Sequence, residues 1–142
     1  MVNGIKRICV AILIGIAGTL AHAADEASVG IKVRKQSGIN YVTGGNGDEA
    51  DAFREIAPRY PVQMIFLVDG KHVEISDVKV RLLDIKGESQ IEAVATGPMF
   101  FINPPSGRWT FEATWKGQTI SQTKDLTGRR YLVLDINFKN PE

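Results

Sequence analysis

The octet RWTFEATW, Arg108 to Trp115, sets Trp109, Phe111, Ala113 and Trp115 at alternate positions, with Thr110, Glu112 and Thr114 between them. Side chains of an extended strand point to opposite faces in turn. The pattern therefore predicts a strand with one apolar face and one wet face, the unit from which two packed sheets are built. Outward from it, "KGQ" reads as a tight turn into TISQTKDL, a polar strand suited to a sheet edge. YLVLDINF follows, with Leu132, Leu134, Ile136 and Phe138 on one side.

Upstream, VKVRLLDIKGE (Val78–Glu88) and QIEAVAT (Gln90–Thr96) also alternate. VQMIFLV, Val62 to Val68, is nearly all apolar, as expected of a strand covered on both faces. VGIKVRK (Val29–Lys35) reads as a first strand and INYV (Ile39–Val42) as a short second piece. Gly or Pro turns punctuate the series: DGKH at Asp69–His72 has the look of a hairpin turn, and Pro104 and Pro105 end the apolar knot GPMFFIN. About seven short strands at roughly ten-residue spacing predict an all-β, antiparallel β-sandwich of transthyretin-like or immunoglobulin-like type. One short α-helix is inserted near the front. No internal repeat interrupts this reading.

That helix belongs to YVTGGNGDEADAFREIAPRYP, Tyr41 to Pro61. Asp48 is placed to cap it, Glu49 and Asp51 lie in its first turn, and Ala52, Phe53, Ile56 and Ala57 form one stripe. Pro58 disfavours helical geometry at Ala57 and should end it there. The glycine cluster fails as a phosphate cradle, because acids stand where a P-loop needs lysine. Calcium is the stronger rival, with hard oxygens on Asn46, Asp48, Asp51 and Glu55, but the alternating acidic loop of such sites is missing. A glycine turn with a capping acid accounts for every residue without a ligand.

The chain opens with Lys6 and Arg7, an apolar run from Ile8 to Leu20, and Ala21-His22-Ala23. A basic start, a run shorter than the roughly 20 residues of a membrane span, and small residues two apart describe a secretory signal peptide over 1–23. Residues 24–28 then read as an acidic leader and 29–142 as one sandwich domain. Cleavage leaves 119 of the 142 residues, and 15 of the 17 Lys and Arg against 16 Asp and Glu. That balance gives no electrostatic footprint for nucleic acid, and no integral membrane segment remains. Cys9, the one cysteine, departs as well, so the exported chain stands on its core without disulfides.

The segment GPMFFINPPSGRWTFEATWKGQT, Gly97 to Thr119, resembles the hallmark of carboxypeptidase-regulatory-like domains. Pro105, Gly107, Trp109, Phe111 and Gly117 occupy the hallmark's places, with Ser106 inserted, and Asp77–Glu88 resembles the strand-turn unit ahead of it. The lead-in GGNGDEADAF…YPVQMIF is similar to small, uncharacterised exported proteobacterial proteins. The resemblance covers roughly Tyr41 to Asn137. It implies a seven-stranded transthyretin-like sandwich serving as an accessory, adhesive or folding-support module, with no catalytic residue and no cofactor carried over. The related hydroxyisourate hydrolases need several histidines and a terminal Tyr-Arg-Gly-Ser. Here only His72 follows the signal, and the chain ends FKNPE.

These readings lead to a non-catalytic periplasmic binding or accessory module for an envelope protein. The partner is expected to add a strand at an exposed sheet edge or to meet the Met99, Phe100 and Phe101 patch, since at least one of the three must face away from the core. The alternative is an envelope carbohydrate-binding module using Trp115, whose indole beside a turn sits at a boundary. An envelope hydrolase built around His72 ranks third, and Ser or Asp gathered about that ring in a concave pocket would revive it.

Overall fold

The computed structural model describes residues 31–129 and 131–142. The expected signal peptide and leader lie outside these residues. Val33–Glu142 forms one compact unit. Nine strands make two sheets: β1 (Arg34–Gln36), β2 (Ile39–Gly44), β3 (Val62–Val68), β4 (Val78–Leu83), β5 (Ser89–Ala95), β6 (Met99–Asn103), β7 (Arg108–Trp115), β8 (Gln118–Asp125) and β9 (Leu132–Phe138). The order is β1-β2-β6-β3-β9 in one sheet and β5-β4-β7-β8 in the other. The chain is therefore an all-β sandwich with one short helix, α1 (Glu49–Ile56).

The alternation along each strand decides which side chains meet between the sheets. From β7 come Trp109, Phe111 and Ala113, from β4 Val78, Val80 and Leu82, and from β9 Leu134, Ile136 and Phe138, all buried in one core. Each of the larger aliphatic and phenyl side chains among them contributes about 1.5–3 kcal/mol when fully buried, which is how a chain of this size stands without a disulfide. Trp109 also donates its indole N–H to the Pro105 carbonyl at 2.9 Å, so its one polar atom is satisfied.

Four expectations need correction. The described residues form nine strands, partly because the apolar knot at Met99–Asn103 is itself a strand in the middle of the larger sheet. Of the expected strand at Val29–Lys35, Val29 and Gly30 lie outside the described residues, Ile31–Val33 are not in a strand, and β1 spans Arg34–Gln36. β3 and β9 run parallel, with Val62 opposite Leu132 and Val68 opposite Phe138, so the sandwich is not purely antiparallel. That pairing needs a long crossover, and the whole second sheet lies between the two strands in sequence. Asp69 and Gly70 form a tight turn closing the Val68–Lys71 bridge, but no strand continues from it.

The helix start also differs. Asp48 makes no side-chain capping bond, because its φ −67° and ψ −17° are already helical, whereas a capping residue is extended. Two backbone turns begin the helix instead, Glu49 N–H to Asn46 O at 3.1 Å and Ala50 N–H to Gly47 O at 3.2 Å. The helix ends at Ile56, where Ala57–Arg59 tightens into a 3-10 turn around Pro58.

α1 lies on the outer face of the five-stranded sheet. Phe53 and Tyr60 place their rings 5.6 and 6.1 Å from that of Phe101, and Val42, Phe53, Ile56 and Phe101 are all at most 3% exposed. This close approach explains a glycine: a Cβ on Gly44 would lie 2.8 Å from the Phe53 ring. The cluster that opened the question of a ligand loop is where the helix docks.

Candidate functional groove

The helix and its 3-10 turn cover Val42 and Phe101, on β2 and β6, but not the neighbouring half of the same face. There a groove of about 580 Å³ opens between α1 and the segment after Lys71. Alternation supplies its floor, since inward residues Met64 of β3 and Leu134 of β9 send Ile65 and Val133 outward. Met99, Phe101 and Pro98 complete an apolar base, and Arg54, His72, Glu74 and Asp135 also line the groove. Val133 is 44% exposed.

Gln63 lies on the same wall and is the only polar or charged side chain buried among the described residues, at 5% exposure. Its Nε2 donates to Ala57 O at 2.9 Å, tying β3 to the end of the helix. Its Oε1 has no hydrogen-bond partner among the described residues. Among the described residues no buried side-chain nitrogen or oxygen lacks a hydrogen bond, so this oxygen keeps some exposure to solvent, and Gln63 is one of the residues that line the groove. Arg54 donates to the Asp51 carboxylate at 2.7 Å. Glu74 and Asp135 have no ion-pair partner among the described residues. Two carboxylates with no ion pair among the described residues therefore line a groove with an apolar floor.

The expected patch is redistributed. Phe100 enters the core and stacks on Tyr41 with ring centroids 5.2 Å apart. Phe101 faces the helix and is 1% exposed, so only Met99 of the three is partly open, and it belongs to the groove. Trp115 is half-buried, with its ring 5.6 Å from Phe138 and the Lys116 ammonium 4.7 Å from its centroid. A sugar ring stacking on that face would have to displace the ammonium.

The calcium candidates are not assembled into a site. Asn46 uses its carboxamide to pin the chain, donating to Ile75 O (3.1 Å) and Thr96 O (3.3 Å) and accepting from Ile75 N–H (3.2 Å). Asp51 is engaged by Arg54, and among the described residues no three His, Cys, Asp or Glu side chains come together to hold a metal ion. Neither Asp48 nor Glu55 lines the groove. His72 does line it, as do Glu74 and Asp135, but no Ser, Thr or Cys is among the lining residues.

Side chains occupy backbone groups along two of the sandwich edges. The Gln36 carboxamide donates to Glu92 O (3.0 Å) and accepts from Glu92 N–H (2.9 Å), filling a bridge position on edge strand β5. Gln118 does the same at Lys139, just beyond β9, at 2.7 and 2.8 Å, and Gln122 donates to Asp135 O at 3.4 Å. Two edges thus present occupied backbone groups, which discourages strand addition there. On the outer face of the four-stranded sheet, Thr110–Thr123 and Thr114–Thr119 hydroxyls pair at 2.9 Å and make the surface polar.

Gln63, Glu74, Asp135 and Val133 were not among the candidates drawn from sequence. Gln63 did carry a signal: a lone amide in the run VQMIFLV must be satisfied where it is buried, and so marks a special position. No protein-family model matches the chain, and no curated protein matches it. Among the described residues no helix is long and apolar enough to cross a membrane.

Proposed function

We propose that this protein is a non-catalytic, periplasmic binding module that meets an envelope protein partner through the groove on the outer face of its five-stranded sheet. The observation that carries the reading is the partial cover of that face. The helix shields one half, and the other keeps an apolar floor open to solvent between charged walls. Concave, mostly apolar sites with a few placed polar groups are where proteins bind side chains and small molecules, and about 580 Å³ falls in their usual range. The accessory role implied by the carboxypeptidase-regulatory-like resemblance supports the same reading, and the signal-like first 23 residues support export.

The test is capture from envelope extract by wild type, Val133→Arg and Ser121→Arg. Val133 is exposed on the groove floor, so arginine there fills the groove without opening the core. Ser121 is an exposed β8 residue and does not line the groove. The reading expects a partner retained by wild type and Ser121→Arg and lost by Val133→Arg. Equal capture by all three refutes it.

A further inference from the structure

We infer that the groove selects an extended peptide segment carrying an apolar side chain beside a basic one, with Gln63 reading the segment's backbone. The inference deepens the binding reading above and rests on it. It begins from the Oε1 of Gln63, which has no hydrogen-bond partner among the described residues. A carbonyl oxygen only accepts, so whatever covers it must bring an N–H or O–H donor. The residue is 5% exposed and its amide nitrogen is anchored to Ala57 O, so the oxygen is held in one place. A fixed acceptor beside an apolar floor of Ile65, Met99 and Val133 suits a backbone N–H whose neighbouring side chain is apolar.

Charge decides the second feature. Arg54 is bonded to Asp51, whereas Glu74 and Asp135 line the same groove with no cation of their own among the described residues. Bound apolar groups thin the water around these carboxylates, and an acidic ligand would be repelled. A lysine or arginine side chain supplies the missing charge. A bare amine would satisfy the carboxylates but leave both the floor and the Gln63 acceptor unused, so a peptide uses the whole groove.

The experiment titrates the 15N-labelled, methionine-methyl-labelled protein with acetyl-Ala-Leu-Lys-Ala-amide, the same peptide with Glu for Lys, and butylamine. The lysine peptide is expected to shift the Gln63 side-chain amide and the Met99 methyl while Met64, in the core, stays still. The glutamate peptide is expected to bind about tenfold more weakly. Glu74→Gln/Asp135→Asn should weaken the lysine peptide by about tenfold, as two partly exposed ion pairs would. Both carboxylates are at exposed residues, so this variant should keep its melting temperature. Equal binding of the two peptides, indifference to the double substitution, equal shifts with butylamine, or no shift at Gln63 and Met99 at millimolar peptide would each overturn the inference. If Val133→Arg still abolishes partner capture in any of those cases, the ligand chemistry is wrong and the binding reading stands. If Val133→Arg captures normally, the binding reading itself has failed.

Discussion

Gly97→Ala tests how the wall of the groove is built. Gly97 connects β5 to β6 just before Pro98 and Met99, and its backbone crosses that of Gly44. A Cβ there would lie 2.2 Å from Gly44 O, 2.3 Å from Gly44 C and 2.9 Å from Gly44 Cα. Reaching even 3.0 Å from the oxygen means opening the crossing by 0.8 Å, the difference between 3.0 and 2.2. The obstacle is main chain, so no rotamer change relieves it. Overpacking costs about 1–3 kcal/mol, more where backbone must move. Alanine's smaller unfolded-state entropy returns about 0.5–1 kcal/mol, leaving roughly 2 kcal/mol of net loss. At about 2.1 cal/mol/K of unfolding entropy per residue over a 110-residue unit, Val33–Glu142, that is a fall in Tm of about 9 °C. Gly38→Ala is the control, with φ +76° and nothing within 4 Å of the added Cβ. It carries the left-handed backbone penalty of about 1–2 kcal/mol less the same entropy return, leaving roughly 1 kcal/mol, or about 4 °C. Thermal melts followed by circular dichroism compare the two. If Gly97→Ala melts above Gly38→Ala, the crossing is looser than described and the reasoning is refuted.

Phe53→Ala empties the contact between α1 and Phe101 and should cost about 3–5 kcal/mol in urea unfolding, with loss of partner capture, whereas a cost below about 1 kcal/mol would mean the helix is not anchored there. Gln118→Ala removes both bonds to the Lys139 backbone and should cost about 1 kcal/mol while speeding hydrogen exchange at the Lys139 amide; unchanged exchange would show that the glutamine does not close that edge. The Thr127 backbone N–H, then its hydroxyl, and then the charges of Arg108 and Arg129 hold the Asp125 carboxyl below the usual carboxylate range. A depressed folded-state value contributes stability that is present above about pH 3.9 and lost as pH falls through the folded value, so Asp125→Asn should flatten the acid limb of the stability profile, and an identical limb contradicts the assignment.

Most of the fold was legible because alternation directly encodes which face of a strand is buried. RWTFEATW, VKVRLL and the last strand face the core as their spacing requires. Non-local features were not legible. The parallel β3–β9 pair depends on how the chain returns after the second sheet, and no local pattern carries that. The cap failed for a similar reason. Asp48 has the right chemistry, but the position of α1 is set by Phe53 meeting Phe101 and Gly44, contacts made across the sheet. Alternation also implied that part of Met99–Phe101 faces outward, yet it could not tell that the helix covers Phe101 and stops short of Val133. The groove exists because of that boundary, so its residues come from α1, β3, β6, β9 and the segment after Lys71, with no shared motif.

A photo-reactive benzoylphenylalanine placed at position 133 or at position 121 tests the central claim most directly. Cells are irradiated and adducts resolved by mass. The account predicts a discrete protein adduct from position 133, abolished by excess lysine-containing peptide, and none from position 121. An adduct from position 121 with none from position 133 would contradict it, because the partner would then sit on the threonine-rich face and leave the groove empty.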